Sequence, residues 1–300
     1  MPSPNTCVIY NAASGRGRAL KRLASLRANL GDTAEYHPST GPGHAVELAR
    51  TAAEAGFPFV AAAGGDGTVN EVANGLLQAK RPDVTMAIYP IGSANDYAYS
   101  LNLAKGWWLR SDCALERRPV DAGLVRLGNG KERYFVNGLG VGFNGAVTLE
   151  SSKIRWLQGV PLYTMALLRA VWRHYAFPRM TVHFDDHVRD VPTLALSVAI
   201  GKREGNFLLA PEAKVDDGLF DFLHAGRMPA WELLRYVPGM ITGRIPVNHP
   251  ALLIGLCRKV RLQSEAPLIA HVDGEMLCRP EEQITSLSAF VLPAALYVRY

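Results

Sequence analysis

Up to about residue 121, the chain alternates between short continuous apolar runs and longer segments with regularly spaced apolar residues. Short strand-like runs alternate with segments in which apolar residues recur every three to four positions, the spacing of a helix face. The predicted strands are 7–10, 34–37, 57–63 and 84–89, and the predicted helices are 19–30, 44–55 and 68–78. Strands that alternate with helices predict βαβ units and a mainly parallel sheet, so we expect an α/β N-terminal domain.

Beyond this point short apolar strands predominate, separated by turn signals such as Gly128-Asn129-Gly130. This pattern predicts a β-rich antiparallel C-terminal domain. Its predicted strands are 124–127, 134–137, 180–184, 193–200, 219–224, 260–263 and 268–272, with helices at 154–174 and 230–241. The last apolar residues are expected to return to the first domain. We therefore predict domains at 1–122 plus 290–300 and at 123–289.

Composition restricts the class of protein. A chain of 300 residues with 48% hydrophobic and 20% charged residues is typical of two globular domains. The net charge of +5 suits a partner that carries phosphate groups. Four cysteines without a C-x-x-C pair predict no zinc site, and the start of the chain does not resemble a signal peptide, so we expect reduced thiols and a cytoplasmic location. No apolar run is long enough to predict a membrane-spanning helix.

The turn Gly64-Gly65-Asp66-Gly67-Thr68 joins a predicted strand to a predicted helix. Three glycines in four residues let the backbone approach a ligand, and the following helix start offers N–H groups and partial positive charge. Phosphate is the ligand that this turn favours. Because Asp66 would repel phosphate, we expect it to orient a metal ion, a water or a donor group. The alternative is an ordinary turn with Thr68 as a helix cap.

This turn resembles the nucleotide loop of diacylglycerol kinases, sphingosine kinases and NAD kinases. The segments 11–15 and 90–98 are similar to that group's Asn-Pro-x-Ser/Ala-Gly and Pro-Leu-Gly-Thr-x-Asn-Asp-Phe-Ala motifs, and Thr40 precedes a Gly-x-Ala stretch in which His44 replaces the usual Asp. The resemblance covers residues 6–298 and implies an NAD-kinase-like first domain that binds ATP and Mg²⁺. The nucleotide-binding residues that it implies are Asn11, Ser14, Gly15, Thr40, Gly64, Gly65, Asp66, Gly67, Thr68, Asn70, Glu71, Gly92, Ser93, Asn95 and Asp96.

Residues 211–221 narrow the resemblance to the diacylglycerol and sphingosine kinases. They are similar to that family's Pro-x-Ala-x-x-Asp-Asp-Gly-x-Leu-Asp segment, which NAD kinases lack. In the family this segment holds a structural Mg²⁺ or Ca²⁺, which implies a site here at the Asp217 carboxylate and the Lys214 and Leu219 carbonyls. Oxygen ligands suit a hard divalent ion. The alternative is a simple Asp-Gly turn.

The segment 271–275 resembles the family's Asp-Gly-Glu, whose carboxylates are assigned to activating the acceptor hydroxyl. Asp273 and Glu275 would face the same way if Gly274 keeps the chain extended, and either could act as the base. The alternative is a hairpin turn followed by a solvated glutamate.

Together these motifs imply a lipid kinase that transfers the γ-phosphate of ATP to a lipid hydroxyl. Its expected catalytic residues are Asp66, which helps to place the catalytic Mg²⁺ through water, and Asp273 or Glu275. Diacylglycerol or a related lipid is the expected acceptor. An NAD kinase-like enzyme and a catalytically silent nucleotide- or lipid-binding regulator are the alternatives. We expect a lipid partner at the membrane surface and no nucleic acid, and we leave peripheral membrane association and a homodimer open.

The stretch 154–173 is unusually apolar, with basic residues interleaved. This composition is typical of a helix that touches a membrane or covers a lipid tail, and also of a core helix with basic ends. The pair Trp107-Trp108 allows the same two interpretations.

Overall fold

The computed structural model describes residues 5–12, 18–109, 116–154, 156–157 and 159–300, without the side chains of residues 18–20. Two compact units are present. The first comprises Met1–Ala122 and Pro293–Tyr300, and the second comprises Gly123–Leu292.

The first unit is built on a parallel sheet with strand order β2–β1–β3–β4–β15. The strands are β1 (Thr6–Tyr10), β2 (Ala34–Pro38), β3 (Phe59–Gly64), β4 (Thr85–Pro90) and the end of β15 (Ser286–Arg299). The helices are α1 (Arg18–Leu30), α2 (His44–Glu54), α3 (Asp66–Ala79) and α4 (Asp96–Ser100). Short 3-10 turns occupy Gly31–Thr33 and Trp107–Leu109.

Burial explains the apolar runs of this sheet. Residues 60–63 of β3 are completely buried, as expected for a parallel strand that is covered on both faces. Helices α2 and α3 pack closely because Gly75 of α3 has no side chain; a Cβ there would lie 2.3 Å from the Val46 carbonyl oxygen of α2.

Strand pairing in the second unit is antiparallel wherever a register is defined among the residues that the structure describes. Its strands are β5 (Arg117–Leu127), which begins in the first unit, β6 (Glu132–Phe135), β7 (Gly138–Gly142), β8 (Arg179–Phe184), β9 (His187–Ala199), β10 (Phe220–Gly226), β11 (Leu252–Cys257), β12 (Lys259–Ser264), β13 (Ala270–Val272), β14 (Glu275–Cys278) and the first part of β15. Its helices are α5 (Phe143–Ser152), α6 (Val160–His174) and α7 (Ala230–Ile241), and a 3-10 turn spans Pro280–Glu282. Residues from all three helices and from strands β9 and β10 share one apolar cluster.

The predicted fold class is confirmed: a parallel α/β unit is followed by an antiparallel β-rich unit. Strands β7, β11, β14 and β15 and helix α5 were not predicted. The helix predicted at 154–174 begins only at Val160, after Gly159 with φ 63°. Trp107 and Trp108 are buried, at 9% and 7% exposure, and Trp107 stacks on Tyr89, so this pair belongs to the core.

His224 makes the second unit sensitive to acid. Its ring is fully buried, its Nε2 lies 2.9 Å from Thr193 Oγ1, and burial lowers its pKa to about 4. Above the ordinary histidine pKa the ring is neutral in both the folded and the unfolded chain. As the pH falls from about 6.5 toward 4, the unfolded chain takes up a proton that the folded chain refuses, so stability is lost.

We expect this group to remove about 2–3 kcal/mol from the free energy of unfolding between pH 7.5 and 4.5. His224→Gln should make urea unfolding less dependent on pH by that amount, whereas His187→Gln, at an exposed position, should leave the dependence unchanged. Equal pH dependence in His224→Gln and the wild-type chain would contradict the assignment.

Candidate active site

Strand register places four of the predicted motifs at one edge of the first-unit sheet. Tyr10 of β1 lies opposite Pro38 of β2 and Ala63 of β3, and Gly64 of β3 lies opposite Pro90 of β4. Because these strands are parallel, the chain leaves each of them at the same edge. Asn11, Thr40, the glycine turn and the segment 91–96 therefore follow neighbouring strand ends, the position at which open α/β sheets bind ligands.

Two of these turns touch through bare backbone. The Gly64 carbonyl oxygen accepts hydrogen bonds from the N–H groups of Ile91, at 3.2 Å, and Gly92, at 3.0 Å. A Cβ on Gly92 would lie 2.3 Å from the Gly65 Cα, so a side chain there would push the turns apart. Helix α3 begins directly after Gly65, at Asp66. Bare backbone beside a helix start fits a phosphate group.

Asp66 binds the second turn instead of pointing into solution. Its Oδ2 accepts the Asn95 N–H at 2.9 Å, and its Oδ1 accepts the N–H groups of Asp96 at 2.7 Å and Tyr97 at 3.3 Å. Asn95 has φ 54°, and its side-chain amide donates to the Gly92 carbonyl at 3.0 Å. The carboxylate thus holds the start of α4, where negative charge is favourable.

Glu71 makes a similar connection to α2. Its two carboxylate oxygens accept the N–H groups of Gly43 and Ala45, each at 3.0 Å. Gly43 is the residue before α2 and has φ 82°. The side chain that was predicted to contact nucleotide therefore fixes the turn that carries Thr40.

Thr40 is held from the other side by His44. The Thr40 N–H donates to His44 Nδ1 at 3.1 Å, and the Thr40 hydroxyl lies 2.9 Å from the same nitrogen. Since a backbone N–H only donates, Nδ1 is the acceptor. His44, the first residue of α2, thus ties Thr40 to the start of that helix.

Arg22 of α1 was not predicted to belong to the site. Its guanidinium donates to the Ile91 carbonyl at 3.0 Å and approaches the Gly92 carbonyl at 3.5 Å. It therefore adds a positive charge to the turn that follows β4. Only its place in the first predicted helix, seven residues after Gly15, could have suggested it.

The remaining first-unit residues of the prediction differ in exposure. Ser93 is exposed, Asn11 and Gly67 are half-buried, and the others that the structure describes are buried: Thr68, Asn70, Asn95 and Asp96. Ser14 and Gly15 lie outside the described residues.

The second-unit motif forms a hairpin turn, the alternative that the sequence left open, so Gly274 does not keep the chain extended. Asp273 and Gly274 have φ 49° and 81°, and Val272 of β13 pairs directly with Glu275 of β14. Two consecutive residues with positive φ between paired antiparallel strands are typical of a type I′ turn, for which Asp-Gly is a preferred sequence.

Asp273 is engaged with backbone. Its Oδ1 accepts the N–H groups of Asn137 and Gly138 at 2.9 and 2.8 Å, and its Oδ2 accepts that of Val136 at 2.9 Å. The residue is only 7% exposed. A carboxylate enclosed in this way is poorly placed to take a proton from a substrate.

Glu275 has a different environment. Its side chain is 36% exposed, and its Oε2 forms an ion pair with Nη2 of Arg133 in β6, whose side chain is 23% exposed. The pair holds the carboxylate in one orientation while leaving part of it open to solvent. Of the two acids in this motif, Glu275 is the more exposed to solvent.

The predicted metal segment gathers negative charge. Asp217 is exposed and its Oδ1 accepts the Leu219 N–H at 3.1 Å. Burial, reinforced by the charges of Asp217 and Glu212, raises the pKa of the nearby Asp221 to about 6. Among the described residues no three or more His, Cys, Asp or Glu side chains gather where they could hold a metal. The Asp217 carboxylate and the carbonyls of Lys214 and Leu219 are all oxygen ligands, the type that a hard cation prefers.

Comparison with known proteins finds a matching family in each half of the chain. Residues 5–126 match the diacylglycerol kinase catalytic domain, and residues 138–299 match the YegS C-terminal NAD kinase beta sandwich-like domain. A protein of Chromohalobacter salexigens named "Probable lipid kinase YegS-like" is 36% identical over 222 residues, which cover 73% of this chain and 70% of the relative. This chain belongs to the diacylglycerol kinase and YegS-like family of lipid kinases.

Further members of the family align over more of the chain. The diacylglycerol kinase of Bacillus subtilis is 28% identical over 277 residues, covering 89% of this chain and 88% of the relative. A crystal structure of a diacylglycerol kinase from Bacillus anthracis matches with a TM-score of 0.69 at 19% identity, covering 100% of this chain and 98% of that one, which shows a shared fold. No helix within the described part of this lipid kinase family member could cross a bilayer.

Asp66→Ala should release the amides at 95–97, because three N–H groups lose their acceptor. We expect faster hydrogen exchange at these amides and a loss of about 1–3 kcal/mol in the free energy of unfolding. Asp66→Asn, which keeps one acceptor oxygen, should show a smaller change. Asp83→Ala, at an exposed ion pair, serves as the control. Unchanged hydrogen exchange at the amides of residues 95–97 in Asp66→Ala would show that the Asp66 carboxylate does not hold this turn.

Proposed function

We propose that this chain is an ATP-dependent lipid kinase that phosphorylates a lipid hydroxyl, with diacylglycerol as the preferred acceptor. Four family motifs follow the ends of the neighbouring strands β1 to β4, and this placement supports the proposal most strongly. The lipid kinase names of the relatives favour a lipid over a soluble nucleotide as the acceptor.

In this proposal the first unit positions the phosphates. The glycine turn, Asn11, Thr40 and Ser93 contact the triphosphate, and the start of α3 offsets its charge. The hydrogen bonds that Arg22 donates and Asp66 accepts keep the turn after β4 close to the glycine turn. Mg²⁺ that arrives with the nucleotide would neutralise charge on the phosphates. Because phosphoryl transfer has a loose transition state, positioning and electrostatics are the protein's main contributions.

Glu275 takes the proton from the acceptor hydroxyl. It is partly exposed and oriented by Arg133, whereas Asp273 is enclosed by three backbone donors. Asp273 is a positioning residue in this scheme, because it fixes the hairpin from which Glu275 projects.

Glu275→Gln should lower kcat for diacylglycerol phosphorylation by about 10²–10⁴-fold, because the general base is lost. Binding of Mg-ATP, measured by calorimetry, should be unchanged. Glu281→Gln, at an exposed position in the same unit, is the matched control. Radiolabelled ATP and an acceptor panel of diacylglycerol, sphingosine, ceramide, phosphatidylglycerol and NAD give the measurement.

The panel also tests the function itself. Label transferred only to NAD would overturn the lipid kinase in favour of the NAD kinase-like alternative. Binding of ATP with no labelled product would favour a silent regulator. Full activity in Glu275→Gln would remove this residue from the mechanism while leaving the lipid kinase intact.

We further propose a structural Mg²⁺ or Ca²⁺ held by the Asp217 carboxylate and the Lys214 and Leu219 carbonyls. A cation there would offset the negative charge of the exposed carboxylates of this segment, Glu212, Asp216 and Asp217. Its chemical role would be to tie the turn before β10 together.

Addition of Mg²⁺ or Ca²⁺ to chelator-treated protein should raise the melting temperature. A cation at 100 times its Kd stabilises the folded state by about 2.7 kcal/mol. Asp217→Asn should abolish most of this rise, and Asp216→Asn, a neighbouring exposed change, should retain it. An equal rise in Asp217→Asn and the wild-type chain would place the cation elsewhere.

Location follows from the proposed substrates. We place the enzyme in the cytoplasm, where ATP is available, in peripheral contact with the membrane that contains its acceptor. Cys7, Cys257 and Cys278 are free and buried, which suits a reducing compartment.

A further inference from the structure

Helix α6 has a core face and an outward apolar face. Leu167 and Ala170 are buried, at 8% and 0% exposure, in the cluster beneath the helix. Leu168 and Trp172 are 49% and 80% exposed. Because residues four apart lie on the same side of a helix, these two form one outward stripe.

Further apolar surface lies just before this helix. Trp156 is 66% exposed and Val160, the first residue of α6, is 45% exposed. Large apolar side chains that are exposed close together in the sequence favour a contact surface, whereas single ones would need no explanation.

The surrounding charge has one sign. Residues 151–184 contain no Asp or Glu, and they contain five Lys or Arg residues. Glu150, just before this stretch, is fully buried and pairs with Lys153 at 2.7 Å and Arg173 at 3.5 Å. One buried carboxylate thus faces several cations, and the local surface stays positive.

Two cations flank the apolar stripe of α6. Arg169 and Arg173 follow Leu168 and Trp172 by one residue each, and the Arg173 guanidinium lies 5.5 Å from the Trp172 ring centroid. Tryptophan with adjacent arginine is typical of helices that lie in the interface of an anionic bilayer.

We propose that the α6 outer face, defined as Leu168, Arg169, Trp172 and Arg173, docks on an anionic lipid surface. The inference rests on the proposed function, since a lipid kinase meets its acceptor at a membrane. The apolar pair enters the headgroup boundary, and the two arginines contact lipid phosphates.

A second copy of the chain fits this face less well. A two-fold interface brings the same patch of both subunits together. The arginines of the two copies would then approach each other, and residues 151–184 offer no carboxylate to separate them. Anionic headgroups supply the missing negative charge.

Helix α7 exposes a tryptophan as well, but its charge pattern differs. Trp231 is 64% exposed, and the next residue, Glu232, keeps a carboxylate in the first turn, where it lies 2.9 Å from His249. Helix α6 has no acidic residue in any turn. Of these two helices, α6 is the one without a carboxylate to repel an anionic surface.

The test measures sedimentation of the full chain with vesicles of phosphatidylglycerol and phosphatidylcholine in equal parts, and with vesicles of phosphatidylcholine alone. Trp172→Ala should weaken binding to the anionic vesicles on the order of tenfold, since it removes the largest exposed apolar group. Leu168→Ala and Arg169→Gln should weaken it less. Leu109→Ala, at a leucine 62% exposed in the first unit, is the matched control and should bind like the wild-type chain.

Activity separates this inference from the proposed function. Trp172→Ala should phosphorylate a short-chain, water-soluble diacylglycerol at the wild-type rate and long-chain diacylglycerol in anionic vesicles more slowly. A wild-type chain that binds vesicles but phosphorylates neither acceptor would overturn the kinase and leave the docking face supported.

Three results would overturn the docking face itself. These are wild-type vesicle binding by Trp172→Ala, equal binding of the wild-type chain to both vesicle types, and loss of a dimer in light scattering on Trp172→Ala without a change in vesicle binding. The third result would assign the face to a second copy.

Discussion

In each unit, the candidate site residues depend on carboxylates that accept hydrogen bonds from backbone N–H groups of neighbouring turns. Asp66 holds the amides of residues 95–97, Glu71 holds those of Gly43 and Ala45, and Asp273 holds those of residues 136–138. Turns at strand ends cannot satisfy these groups through a sheet or a helix, and a buried N–H without a partner is costly. The acidic residues therefore determine the positions of the turns in each unit.

This bonding changes how the acidic motifs are interpreted. The same residue types at the same spacing serve for metal binding, for proton transfer and for holding backbone. In the second-unit motif the hydrogen bonds separate the two acids, because Asp273 is occupied by backbone and Glu275 is held by a side chain at a partly exposed position. Under the proposed function Glu275 is the reactive group, and Asp273 supports it by holding the turn that precedes β14.

Elements whose apolar residues recur at a regular spacing were predicted from the sequence. Elements in which glycine interrupts that spacing, such as β7, were missed. The uninterrupted apolar residues 60–63 correctly indicated a buried parallel strand. Strand β7 contains three glycines in five residues and resembles a loop, yet a Cβ at Gly140 would lie 2.2 Å from His271 Nε2. Glycine is required there by the close approach of His271, a residue distant in the sequence, so no local sequence pattern could indicate it. The turn at Asp273 and Gly274 was foreseen only as the alternative to an extended chain. Partners distant in sequence, such as Arg133 for Glu275, could not be inferred without the fold, and the predicted roles of the individual site residues stay predictions.

Helix α6 shows why composition alone left its role undecided. An apolar count sums over the whole circumference of a helix, and both of the proposed roles need apolar residues. The structure places the apolar residues of α6 on two sides of the helix. Leu167 and Ala170 are buried in the core, whereas Leu168 and Trp172 are exposed to solvent. If the outward pair served only folding, nothing would favour tryptophan at a position that is 80% exposed, or the absence of acidic residues from the 34 positions around it. A surface that adds both apolar contact and negative charge accounts for the two features together, and an anionic bilayer provides both.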